Sequence, residues 1–149
     1  LSDLVITDAD KGGIITTDYD RACALIAAVA SVDDAADWRN KAAAMRVYAQ
    51  QAKNRDLEIQ CAQIRARAER RLGQLIIAQK ETVGLHKGGR PSEKTCSDEE
   101  QVFPVKLEDA GIDRKLSMRS QRAAEIGDVR FEALMTMMRQ RAEEGGRVI

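Results

Sequence analysis

The chain has 149 residues and balances 24 basic against 24 acidic side chains, so no global basic field draws it to nucleic acid. Aromatic residues make up only 3% of it, which suits close-packed helices of Ala, Leu, Ile and Met better than a sandwich. Cys23, Cys61 and Cys96 are widely spaced with no C-x-x-C, which argues against a zinc site or disulfide framework and for a reducing cytoplasm. No apolar run approaches the roughly 18 residues of a membrane span, so no membrane partner is expected.

The charge is unevenly spread. Residues 1–37 carry eight aspartates against Lys11 and Arg21, a net of −6 that the remainder must offset. Within residues 1–17, Leu4-Val5-Ile6-Thr7 and Ile14-Ile15-Thr16-Thr17 are β-branched runs around Asp10-Lys11-Gly12-Gly13, a pattern that predicts a short β-hairpin. Asp18 is read as the N-cap of a helix over 19–31 with Ala22, Leu25, Ile26 and Val29 on its apolar face. A second helix is predicted over 34–52, with Trp38, Ala42, Met45, Ala49 and Ala52 at heptad spacing. Lys53-Asn54-Arg55-Asp56 then reads as the connection of an antiparallel helical hairpin.

The third helix, predicted over 56–82, would be about 40 Å long. Its apolar stripe is Leu57, Cys61, Ile64, Ala68, Leu72 and Leu75. It outlasts its partner by a turn or two, so the end bearing Leu75-Ile76-Ile77 needs cover from the first helix, the C-terminal part or a second subunit. A dimer or partner interface is therefore placed at Trp38, Met45, Leu72, Leu75 and Ile76. Arg65, Arg67, Arg70 and Arg71 on this helix read as a solvated, internally paired face or as a phosphate track.

Residues 84–104 carry Gly84, Gly88, Gly89, Pro91 and Pro104 and read as a linker between an 18–83 helical bundle and a 105–149 unit. Inside the linker, Gly88-Gly89-Arg90-Pro91 has the form of an extended minor-groove arm, with Arg90 reaching the groove floor. Three helices are expected beyond it, over 105–110, 115–126 and 129–144, with Gly145-Gly146 ending the last. The first two read as a helix-turn-helix: Leu107 and Ala110 face inward, Gly111 supplies a positive φ, Ile112 packs into the angle and Ser117 opens or caps the second helix. From Arg114 to Arg122 there are four basic residues and no acid. Arg114, Lys115, Arg119, Gln121 and Arg122 are the DNA-contacting candidates, because Arg and Gln read base edges bidentately and Lys meets phosphate. Met135, Met137 and Met138 on the last helix read as core, or as a pliable groove.

Catalytic chemistry has little to stand on. His86 is the single histidine, and no P-loop or dinucleotide fingerprint occurs, so no catalytic residue, metal or cofactor is expected. From about Val32 onward, several segments occur together: Asp37-Trp38-Arg39-Asn40-Lys41-Ala42, Arg65-Ala66-Arg67-Ala68-Glu69-Arg70-Arg71-Leu72-Gly73, Lys80-Glu81-Thr82, Gly88-Gly89-Arg90-Pro91-Ser92-Glu93-Lys94-Thr95 and Ala110-Gly111-Ile112-Asp113-Arg114-Lys115-Leu116-Ser117. With these the chain resembles a helical module of bacterial and phage mobile-element proteins, which stands alone or is joined to ParB-like or DNA adenine methyltransferase-like domains. That resemblance implies DNA transactions without implying an activity of the module itself.

The expectation is thus an all-α protein: a long antiparallel helical hairpin, a small C-terminal helix-turn-helix-like unit and a short N-terminal β-hairpin. Its expected role is non-enzymatic DNA binding in the cytoplasm, with a homodimer as one arrangement. The alternative is an inhibitor or adaptor that binds a host nucleic-acid-processing complex through its helical and acidic surfaces. A third reading, the recognition part of a methyltransferase acting in trans, has no segment of its own here.

Overall fold

A computed structural model of the chain describes residues 14–82 and 107–148, with side chains described from residue 18 onward. Among these residues there are five α-helices, one 3-10 turn and no strand, so the fold is all-α.

Helix α1 spans Ile14–Ala28. Ile14-Ile15-Thr16-Thr17, expected as a strand, instead form its first turn, and Asp18 lies within the helix rather than at its N-cap. Intrinsic β-propensity is weak and yields to context. Here the Ala-rich stretch that follows, carrying Ala22 and Ile26 into the core, continues the helix backwards. The other half of the expected hairpin lies outside the described residues.

Helix α2 spans Val32–Gln51. Its N-cap is Ser31, whose Oγ accepts from the Asp34 N–H at 3.1 Å, and Asp33 and Asp34 put negative charge on the positive end of the helix dipole. The buried residues of α2 are all alanines, Ala35, Ala36, Ala42 and Ala49, so its backbone lies close to the next helix. Trp38 and Met45 are half-buried beside them, whereas Ala52 is exposed past the helix end. Lys53 turns the chain at a φ of 53°, and Asn54 Oδ1 accepts from the Leu57 N–H at 3.2 Å to start helix α3, Arg55–Thr82. Hydrogen bonds from Gln50 to Glu58 at 3.0 Å and from Arg39 to Glu69 at 2.9 Å run down an antiparallel register.

The far end of α3 is covered from within the chain. Leu72 and Ile76 cluster with Ala35 and Ala36 of α2 and with Ile112 and Leu116 of the C-terminal segment, flanked by Val29, Leu75 and Leu107. Leu72 and Ile76 are completely buried, so their expected role at a partner interface is corrected. The C-terminal segment folds back over α3 and takes the place that a second subunit would have taken.

That segment starts with the 3-10 turn Leu107–Ala110, shorter than the helix expected there. Gly111 has a φ of +73°, as its place in the tight exit requires. Asp113 then caps helix α4, Arg114–Ala124, by accepting from the Leu116 N–H at 2.7 Å. Ser117 does not open this helix, as expected from sequence, but is buried inside it. Leu116, Ser117 and Ser120 form the buried side of α4. At the crossing with α3 the backbones nearly touch: a Cβ placed on Gly73 would sit 1.8 Å from the Ser120 carbonyl oxygen.

Helix α5, Asp128–Glu143, buries Phe131, Met135 and Ala142. Ala142 and Val148 form a second small cluster with Ile59 and Ala62 of α3, with Met138 packed on it. Gly145, at a φ of +89°, and the bond from the Gly146 N–H to the Arg141 carbonyl at 2.9 Å end the helix where the two glycines predict. Met137 stays 49% exposed, so the three methionines divide between core and surface.

Candidate nucleic-acid interface

The arginines fall into two groups once their acceptors are known. Four of them reach backbone carbonyls, three of these at the C-terminal ends of helices, where unpaired carbonyls and the negative pole of the dipole favour a cation. Arg71 Nε donates to the Val29 carbonyl just past α1 at 2.8 Å, and Arg70 Nη2 to the Ile126 carbonyl just past α4 at 2.9 Å. Arg55 Nη2 donates to the Ala142 carbonyl in the last turn of α5 at 3.2 Å and to that of Gly146, while Arg46 holds the Val148 carbonyl. Arg67 pairs through both terminal nitrogens with Glu132 at 2.6 and 2.9 Å, and its Nε donates to the Tyr19 hydroxyl at 3.2 Å. The Glu132 contact, outweighing burial, pushes the Arg67 guanidinium further above its ordinary range, and the same contact holds the Glu132 carboxyl below its own. Arg67, Arg70 and Arg71 therefore tie α1, α4 and α5 to α3.

The second group lies on and beside α4. Arg114, Lys115 and Arg122 are exposed, with no ion-pair or hydrogen-bond partner among the described residues. Together with Met118, 47% exposed, and Arg119 they recur at i, i+1, i+4, i+5 and i+8, which places them along one stripe of the helix. The polar side of α4 is thus set by the packing of Leu116, Ser117 and Ser120 against α3.

Arg119 is held differently from its neighbours. Its side chain is 53% exposed, yet its guanidinium meets the Glu69 carboxylate through Nε and Nη2, both at 3.1 Å. Glu69 also accepts from Arg39 at 2.9 Å and from Arg65 at 3.2 Å, so one carboxylate gathers three guanidiniums from α2, α3 and α4. Burial alone would raise the Glu69 pKa. The hydrogen bonds from Arg39 and Arg119 and the charges of Arg119 and Arg65 outweigh it, and the carboxyl lies below its usual range. This cluster extends the basic stripe from α4 onto the α2–α3 pair.

Gln121 is not brought to that stripe. It is half-buried, its amide donates to Ser117 Oγ at 2.9 Å and to the Ser117 carbonyl at 3.2 Å, and its Oε1 accepts from Lys80. Arg90 lies outside the described residues. Arg39 was absent from the candidates read from the sequence, because it stands 30 positions from Glu69 and no local pattern links the two.

No helix among the described residues is long and apolar enough to cross a membrane, and no group of three or more His, Cys, Asp or Glu there could hold a metal ion. Comparison with protein-family models, curated proteins and solved structures finds no match to this chain.

Proposed function

We propose that the chain is a non-enzymatic DNA-binding protein of the kind carried by phages and mobile elements. In this reading the 3-10 turn and α4 act as a helix-turn-helix-like unit. The observation that carries it is the α4 stripe: Arg114, Lys115 and Arg122 are exposed with no partner among the described residues, and Arg119 is fixed beside them by Glu69. Unpaired cations on a rigid helix can neutralise phosphates without first breaking internal contacts. Arg119 would serve less as a mobile phosphate ligand than as a pre-oriented one, and Arg90 of the Gly-Arg-Pro segment would reach the minor groove.

The test is fluorescence anisotropy with a labelled duplex over a salt series. Three phosphate contacts correspond to a log–log salt slope of about −2.7. The charge reversal Arg114→Glu/Lys115→Glu/Arg122→Glu removes most of that slope, while Gln121→Ala changes affinity little. Absence of salt-sensitive binding at low ionic strength refutes the proposal.

An inhibitor or adaptor role is favoured by a different observation. Val47 and Tyr48 on α2 are 53% and 58% exposed, and Leu134 and Met137 on α5 are 40% and 49% exposed. Such residues are where a protein partner gains apolar contact. Capture of a host complex that survives nuclease treatment, and that Val47→Asp/Tyr48→Asp abolishes, supports this second role, and loss of capture on digestion removes it.

A further inference from the structure

A cleft of about 250 Å³ opens between α1, α3 and α5, away from the α4 stripe. Helix α1 lines it with Cys23 and Ile26, α5 with Phe131 and Asp128, and α3 with Arg67, Arg70 and Arg71. Arg67, Arg70 and Arg71 each tether one helix to α3, and they do so around open space rather than within a filled core.

Each guanidinium is fixed in place. Arg67 is clamped by Glu132 and Tyr19, Arg71 by the Val29 carbonyl and by Gln74 at 3.1 Å, and Arg70 by the Ile126 carbonyl. Arg70 also lies over the Phe131 ring, 4.8 Å from its centroid. Their hydrogen-bonding capacity is not exhausted: Arg70 Nη1 and Arg71 Nη2 have no partner among the described residues. The one carboxylate lining the cleft is Asp128, which meets Arg70 at 2.5 Å from a side chain that is 87% exposed. An ion pair so open to water is held weakly and is readily exchanged for another anion.

We propose that this cleft binds a compact phosphate monoester, whose phosphoryl oxygens replace the Asp128 carboxylate on Arg70 and engage Arg71. The charge balance favours an anion. With Asp128 turned out to solvent, Arg67, Arg70 and Arg71 stand against Glu132 and against Asp20 beside Cys23, so the cleft keeps a net positive charge. A tetrahedral group with three terminal oxygens suits several converging guanidiniums better than a planar carboxylate does. Ile26 and Phe131 supply an apolar wall for the organic part of the ligand. The volume is below that of a drug-sized pocket, about 300–1,000 Å³, so the organic part is small. The proposal does not rest on DNA binding by α4.

Cys23 in the wall provides the readout. Phenyl phosphate is the probe, and the rate of Cys23 alkylation by a maleimide, followed by peptide mass mapping, measures occupancy. Saturable protection is expected, with benzoate at the same ionic strength giving none. Arg70→Gln weakens protection by about tenfold or more, the scale of one lost charge-assisted bond. Asp128→Asn keeps the shape of the site, removes the competing carboxylate and binds the probe more tightly. Because these variants move affinity in opposite directions, a folding defect in Arg70→Gln does not decide the outcome. A 5′-phosphorylated dinucleotide that protects as well as phenyl phosphate assigns the phosphate to a nucleic-acid end, and protection by phenyl phosphate alone assigns it to a small metabolite. Equal protection by benzoate, no saturable protection, or unchanged affinity in Asp128→Asn overturns the proposal.

Discussion

Replacing Gly73 with alanine tests how α4 is held on α3. In an isolated helix this change is favourable by about 1 kcal/mol, because glycine has the greater backbone entropy to lose. Here the added Cβ would lie 1.8 Å from the Ser120 carbonyl oxygen and 2.8 Å from the Gln121 nitrogen. An unstrained contact begins near roughly 3.5 Å, so α4 has to retreat by about 1.7 Å. A gap of that size forfeits about half or more of the contact energy across the crossing. Leu72, Ile76, Ile112 and Leu116 share that cluster. At half of about 2 kcal/mol for each buried side chain, the loss is about 4 kcal/mol, and the helix preference returns about 1. Gly73→Ala is therefore expected to destabilise the protein by about 3 kcal/mol, read as a lower urea midpoint at unchanged slope. A variant as stable as the wild type, or more stable, shows that α3 and α4 do not cross as tightly as described.

Ser120, completely buried at the same crossing, has a hydroxyl with no hydrogen-bond partner among the described residues. Ser120→Ala removes that unsatisfied group and is expected to raise stability by about 1 kcal/mol in urea unfolding, and a loss of similar size contradicts the assignment. Glu69→Gln leaves Arg39, Arg65 and Arg119 gathered without their counter-charge and is expected to cost about 1–2 kcal/mol, limited by the exposure of Arg119. The Glu69 pKa is lower in the folded chain, so its contribution is full above the unfolded value and lost as pH falls through the folded one. The gap between wild type and Glu69→Gln should be constant near neutrality and shrink below about pH 4, and a gap that persists in acid locates the effect in packing.

Periodicity and punctuation made the middle and end of the chain legible. The expected helix over 56–82 is α3 at Arg55–Thr82, and the glycines at 111 and 145 adopt the positive φ that ended or turned their segments. The first helix was misjudged at its start because four consecutive β-branched residues outweighed the alanines behind them. Gly73 is a further signal in the sequence. A glycine in the interior of a long helix costs stability unless a backbone comes close, and here α4 does. The arginines were harder to read. Spacing shows where a charge lies on a helix, but the acceptors of Arg46, Arg55, Arg70 and Arg71 are main-chain carbonyls in distant segments, and every residue has one. Sequence could therefore name Arg114, Lys115 and Arg122 as a basic stripe, but it could not tell them apart from arginines that serve the fold.

Helix α3 is the hub on which the other helices assemble, and they are not attached alike. The start of α2, the far half of α3 and the start of α4 share one apolar cluster, which contains no ionisable group. Helix α5 is joined to α3 through a small cluster and through charged and polar links from Arg55, Gln63, Arg67 and Arg70. Part of its attachment, the pairs of Arg67 with Glu132 and of Arg70 with Asp128, depends on carboxylates remaining ionised and on ions remaining dilute. Denaturation should therefore have a geography: acid or concentrated salt is expected to loosen the C-terminal helix first, leaving helices α1 to α4 assembled.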